Sequence, residues 1–166
     1  MRIERPTASA VDALAELWVD LAADQRTHGS HLLAGANRAS IRESLAQRIV
    51  SGGVFVAREE DDGDDSDVLG FVTFYPEAGG YEQDTDRGVV ENLYVVPERR
   101  GEGIGSDLLT AAEDALADGG ADAITLDAMA VNERARQFYR CHGYEPHRVE
   151  LERRLERETD TNEGGG

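Results

Sequence analysis

Lysine is absent from this chain, and all 17 of its basic residues are arginine. Against them stand 34 acidic residues, for a formal net charge of −17. That balance argues against nucleic acid as a partner, because phosphate contacts need clustered positive charge. Cysteine is reduced to Cys141, which rules out an internal disulfide and supplies no metal cluster. Its thiol is expected to be packed or half-exposed on a helix. No long apolar run is present, so no membrane span is expected, and the opening MRIERPTASA lacks the apolar core of a signal peptide. The default expectation is a cytoplasmic location. With 166 residues there is enough chain for one domain with a sizeable core, expected over residues 1–155. Residues 156–166, charged and then glycine-rich, read as a disordered tail.

What is present divides into short periodic segments. Residues 3–5 read as a first strand closed by Pro6. Ser9 with Asp12 has the spacing of a capping box, and Val11, Leu14, Leu17, Trp18 and Leu21 then mark one face of a helix. The connection that follows, residues 24–33, has no clear period. It carries His28 and His31, spaced like two metal ligands but with no third, so metal binding is not expected there. Ser40 and Glu43 form a second capping-box pattern ahead of Ile41, Leu45 and Ile49, and Gly52-Gly53 stop that helix. Residues 54–58 and 68–75 read as paired strands around the acidic run EEDDGDDSD. This run lacks the alternating ligands of a calcium loop and reads as a solvated hairpin connection.

Residues 89–106, VVENLYVVPERRGEGIGS, are the centre of the chain. A strand over 89–96 is ended by Pro97, and Ile104, Leu108, Leu109, Ala112, Ala115 and Leu116 then recur at helical spacing. The run Arg100-Gly101-Glu102-Gly103-Ile104-Gly105-Ser106 therefore lies at a helix N-terminus. Amide hydrogens and partial positive charge gather there, and glycines let a phosphate approach the backbone. The spacing does not fit the dinucleotide fingerprint, nor does a Gly-Lys-Ser/Thr follow as in a P-loop. Further on, Gly119-Gly120 close the helix, residues 123–129 form a strand, and Asn132 opens a short helix ended by Gly143. One more strand is expected within residues 144–155. The order is β-α-α-β-β-β-α-β-α-β, an α+β domain with a mixed, mostly antiparallel sheet flanked by helices.

Arg100-x-x-Gly103-x-Gly105 directly after Glu91-Asn92-Leu93-Tyr94-Val95 resembles the acyl-CoA signature of the GNAT family of N-acetyltransferases. The segment from Val131 to Tyr144 resembles that family's second signature, N-x-x-A-x-x-F-Y-x-x-x-G-F/Y, through Asn132, Ala135, Phe138, Tyr139, Gly143 and Tyr144. The resemblance implies acetyl-CoA as cosubstrate and no metal. It also implies that the pantetheine arm pairs with the central strand near Leu93 and Val95, beside a bulge that parts this strand from ITLDAM. Asn132 would contact the cofactor, Tyr139 would protonate the departing thiolate, and the loop between the first two helices would line the acceptor site. A homodimer also fits the family.

For the base, Glu91 is the candidate. It lies in an otherwise apolar strand, with the side-chain parity of Leu93 ahead of any bulge, and a carboxylate there is costly unless used or paired. The other reading of Glu91 is an ion pair with an arginine. The expected reaction moves an acetyl group to a small or peptide amine. The alternatives are an acyl-CoA-binding module without catalysis and a transferase for a longer acyl group.

Abundant carboxylates with no lysine resemble the cytoplasmic proteins of salt-accumulating halophilic microbes, so the chain looks like a GNAT protein of haloarchaeal type. In dilute salt the same charge repels itself and loosens the compact state, whereas molar salt screens it within about 3 Å. The melting temperature should therefore rise as potassium chloride goes from dilute to molar. A flat response in calorimetry would contradict the halophilic reading.

Overall fold

Five strands, Arg2–Glu4 (β1), Val54–Arg58 (β2), Val68–Pro76 (β3), Arg87–Val95 (β4) and Ala123–Thr125 (β5), pair in sequence order into one sheet. The first four are antiparallel to their neighbours, and β5 lies parallel to β4. The computed structural model describes residues 1–60 and 67–156, so most of the acidic run after Glu60 and the tail beyond Glu156 lie outside the described residues. The chain divides into two units, Met1–Asn132 and Glu133–Gly166.

Within the first unit, the helices Val11–Arg26 (α1) and Arg38–Ser51 (α2) serve one face of the sheet, and Ile104–Asp118 (α3) serves the other. Leu14, Trp18, Leu21 and Leu45 form one core cluster with Val54, Val56, Phe71 and Tyr94 of the strands. On the opposite face Leu108, Leu109 and Leu116 are buried, and the backbones at Gly70 and Gly88 come close to Leu108 and Leu116. Burying each such leucine stabilises by roughly 2 kcal/mol. The apolar spacing read from the sequence thus identifies the inward faces of α1 and α3.

Helix starts differ from expectation. Neither capping box forms, because 3-10 turns at Ala8–Ala10 and Gly35–Asn37 lead into α1 and α2 and place Ala10 and Asn37 at the N-cap positions. Asp12 instead reaches Arg42 at 2.6 Å, and Glu16 reaches Arg38 at 2.6 Å, tying the two helices together. Those hydrogen bonds hold both carboxyls below the usual range. Helix ends follow expectation more closely. In α3 the left-handed residue of the cap is Gly120, with the Ala121 amide donating to the Leu116 carbonyl at 3.0 Å.

Two strands are shorter than the sequence suggests. Pairing of β5 with β4 stops at Val89↔Thr125, so the expected strand over 123–129 ends at Thr125. Residues 145–156 have no regular secondary structure, in place of the expected last strand. Val149, Leu151 and Leu155, the residues that would anchor such a strand, are 73%, 89% and 71% exposed. A strand gains little when neither its ladder nor its apolar face is covered.

The β3–β4 pairing depends on the absence of a side chain at Gly70, opposite Val95. A Cβ there would stand 2.6 Å from the Tyr94 carbonyl oxygen and 3.2 Å from the Val95 Cα. Gly70→Ala must push the two backbones apart, and should lower the unfolding free energy by about 2 kcal/mol. Urea denaturation reads this directly, and an unchanged midpoint would contradict the register.

Candidate active site

The site begins with a miscount between two strands. Along β3 and β4, Thr73 pairs with Asn92 while the next residue, Phe74, pairs with Val90, so Glu91 is an extra residue in β4. An insertion of this kind leaves two residues opposite one and turns their side chains to the same face. The polar contacts agree. Asn92 Nδ2 donates to Thr73 Oγ1 at 3.0 Å, and the Thr73 hydroxyl donates to Glu91 Oε1 at 3.2 Å. Thr73 is fully buried, in register with Val54 on the α1/α2 face of the sheet.

Glu91 consequently does not share the face of Leu93. The sequence expectation placed the two together ahead of any bulge, but the bulge falls at Glu91 itself and rotates it to the other side. Its carboxylate also accepts a hydrogen bond from Arg48 Nε of α2 at 3.2 Å, and it remains 41% exposed. The Arg48 guanidinium carbon in turn lies 4.1 Å from the centre of the Tyr75 ring. An arginine partner and an accessible carboxylate therefore occur together.

The same miscount shapes the neighbouring edge of β4. Its parallel pairing with β5 covers only Arg87, Gly88 and Val89. Leu93 and Val95 lie on the stretch beyond, where no ladder joins β4 to β5 among the described residues. The chain then makes a 3-10 turn, Pro97–Arg99, and the Arg100 amide closes it on the Pro97 carbonyl at 3.3 Å. Arg100 folds back along the strand. Its Nε donates to the Val95 carbonyl at 2.9 Å, and its guanidinium carbon sits 5.2 Å from the Tyr94 ring centre.

Gly101 and Gly103 both take left-handed backbone angles, φ 85° and 88°, and Gly103 is the N-cap of α3. A Cβ at either would meet no atom within 4 Å, so the space over the turn is open. The first bond of the helix ladder runs from the Asp107 amide to the Gly103 carbonyl at 3.1 Å. The amides of Ile104 and Gly105 precede it and take no part in that ladder. Glycines in left-handed conformation next to such amides make a concave donor set suited to a diphosphate. The residues present therefore fit the phosphate end of coenzyme A.

The second unit contains Glu133–Cys141 (α4), immediately after Asn132. Gly143, at φ 91°, ends the helix, with its amide donating to the Arg140 carbonyl and the Tyr144 amide to the Tyr139 carbonyl at 3.0 Å. The Tyr139 and Tyr144 rings meet edge to face at 5.9 Å, the side-chain contact that accompanies this type of cap. The family signature in this segment is thus partly a helix-capping pattern. Burial pushes the Tyr139 phenol up to about 12, so it keeps its proton at any physiological pH. Cys141 is exposed, more open than expected.

Thr73, Arg48 and Tyr75 were not singled out by sequence. Thr73 carried a usable signal as the one aliphatic hydroxyl in VLGFVTFYP, whereas the meeting of Arg48 with Glu91 depends on how α2 packs. Among the described residues no group of three or more His, Cys, Asp or Glu is placed to hold a metal ion. Nor, among the described residues, is any helix long and apolar enough to cross a membrane.

Comparison with known proteins agrees with this geometry. An uncharacterized N-acetyltransferase, YhfO of Bacillus subtilis (strain 168), is 33% identical over 82 residues, which make up 49% of this chain and 54% of that protein. The chain spans about half the length of the curated relative it matches. Among solved structures, a mutant of a Bacillus halodurans protein superposes with a TM-score of 0.76 at 20% identity, covering 93% of this chain and 99% of that one. A GCN5-related N-acetyltransferase from Ralstonia eutropha JMP134 gives 0.70 at 23% identity, covering 93% and 97%. An aminoglycoside acetyltransferase from an uncultured soil metagenomic sample, in complex with sisomicin, gives 0.63 at 21% identity, covering 93% and 96%. At these identities the structures share the fold. The sequence pattern described as the Acetyltransferase (GNAT) family matches residues 11–144, which take in the bulged strand, the glycine turn and α4. The chain belongs to the GNAT family of acetyltransferases.

Proposed function

We propose that this chain transfers the acetyl group of acetyl-CoA to a primary amine. The observation that carries the reading is the parting of β4 from β5 after Val89, directly ahead of the open glycine turn at the mouth of α3. A strand edge there offers backbone partners at Leu93 and Val95 to the amide-bearing pantetheine arm. The amides of Gly101, Gly103, Ile104, Gly105 and Ser106 are the candidates to receive the diphosphate. Asn132 is assigned to the cofactor by the family signature alone.

The thioester supplies the acetyl carbonyl, the amine nitrogen attacks it, and the thiolate leaves. Glu91 is the base in this reading. One of its oxygens is engaged by Thr73 and Arg48, and the carboxylate is accessible enough to take the ammonium proton directly or through a water. Tyr139 is the acid that returns a proton to the thiolate, and burial keeps its phenol protonated at neutral pH. Leu32 and Leu33, exposed in the connection between α1 and α2, support that loop as part of the acceptor site. The exposed Val149, Leu151 and Leu155 support a homodimer, which light scattering would detect. The acidic composition supports a salt-rich cytoplasm as the setting.

Three variants test the assignment in molar potassium chloride, with free thiol release from acetyl-CoA as the assay. Glu91→Gln should lower kcat by about 10²- to 10⁴-fold with little change in coenzyme affinity. Tyr139→Phe should lower kcat by about 10²-fold, again with affinity kept; unchanged turnover would remove it from the mechanism. Gly103→Ala forces a left-handed angle on a residue with a Cβ, at about 1–2 kcal/mol, and should weaken coenzyme binding about tenfold. Wild type that binds acetyl-CoA yet acetylates no amine would favour a binding module. Faster turnover with longer thioesters would reassign the acyl group.

A further inference from the structure

We infer that Arg48 is the clamp for an anionic group on the acceptor, so that the site takes an amine bearing a nearby carboxylate, such as an α-amino acid. The inference rests on the reading of Glu91 as the base and adds the substrate class. Arg48 Nε donates to Glu91 Oε1 at 3.2 Å. The guanidinium carbon lies over the Tyr75 ring, 4.1 Å from its centre, and the side-chain stem packs beside Gly53. The two terminal nitrogens of Arg48 have no partner among the described residues, and its side chain is 30% exposed.

What sets Arg48 apart is its place, since it shares one carboxylate oxygen with a buried hydroxyl at the strand bulge. Acidic residues outnumber arginines 34 to 17, and Arg38, Arg42, Arg87 and Arg99 each bind carboxylates through their guanidinium groups. Arg48 spends only one edge on Glu91. The other edge is a planar two-nitrogen fork, the geometry that binds a carboxylate through two parallel bonds. Glu91 shows the same division. Oε1 receives both Arg48 and Thr73, while Oε2 has no partner among the described residues. A negative acceptor and a positive donor edge thus stand side by side at the bulge. An α-amino acid carries the opposite pair on a single carbon, its ammonium facing Oε2 and its carboxylate facing the fork. A polyamine would instead bring a second cation against Arg48.

The test compares amino acids with their own primary amides as acceptors, using acetyl-CoA and wild type, Arg48→Gln and Arg48→Lys. Wild type should prefer the acid over the amide by about 10- to 100-fold in kcat/KM, the range of one charge-assisted pair. Arg48→Gln should bring that ratio close to one, and Arg48→Lys should restore part of it. The ratio cancels any loss common to both acceptors, including disturbance of Glu91, and thermal melting of each variant separates misfolding from lost recognition. A wild-type ratio at or below one, or a ratio unchanged in Arg48→Gln, overturns the inference. Acetylation only of amines without a carboxylate does the same but leaves the acetyltransferase reading standing. Wild type that acetylates no amine at all overturns both.

Discussion

Two side chains of β4 answer to one hydroxyl of β3, and the arrangement of the site follows from that mismatch. Thr73 accepts from Asn92 and donates to Glu91, so the proton of a fully buried hydroxyl has its acceptor while the strand carries its extra residue. Leaving such a group unpaired costs about 1–3 kcal/mol, which favours the bulged register over a regular one. The bulge turns Glu91 toward the α1/α2 face. It also lies just past the point where β4 and β5 stop pairing. One local irregularity thereby sets both the orientation of the acidic side chain and the opening of the strand edge.

The glycine turn depends on a different constraint. A helix start has amides without carbonyl partners, and side chains over the preceding turn would shield them. Left-handed glycines at 101 and 103 leave the space over the turn open. In an acidic chain this matters more than usual, since the positive potential for a diphosphate must come largely from backbone dipoles. The nearby Arg100 is folded back on Tyr94 and the Val95 carbonyl, and Arg99 is engaged by Glu59 and Glu102.

Much of this was legible in the sequence. Buried faces of α1 and α3 follow from apolar spacing, and the strand, proline and glycine run from Val89 to Ser106 marks the turn into α3. The side of the sheet on which Glu91 lies was not legible, because a bulge adds one residue without altering composition and reverses every parity argument beyond it. Capping boxes misled for a local reason. Short 3-10 turns took the N-cap positions, and Asp12, the acidic partner of the first box, found Arg42 on the neighbouring helix instead. The expected last strand had the right alternation at Val149, Leu151 and Leu155, but alternation describes a face and does not supply a covering partner. Arg48 shows the limit most plainly, since nothing within its own helix predicts a meeting with a residue 43 positions away.

The central claim is that the amides at the start of α3 hold the coenzyme's diphosphate. Amide proton and nitrogen shifts, followed by NMR while coenzyme A is titrated in molar potassium chloride, test this most directly. The account predicts the largest saturable shifts at Gly101, Gly103, Ile104 and Gly105, with smaller ones along Leu93 and Val95. Saturable binding that leaves those glycine amides unmoved would contradict it.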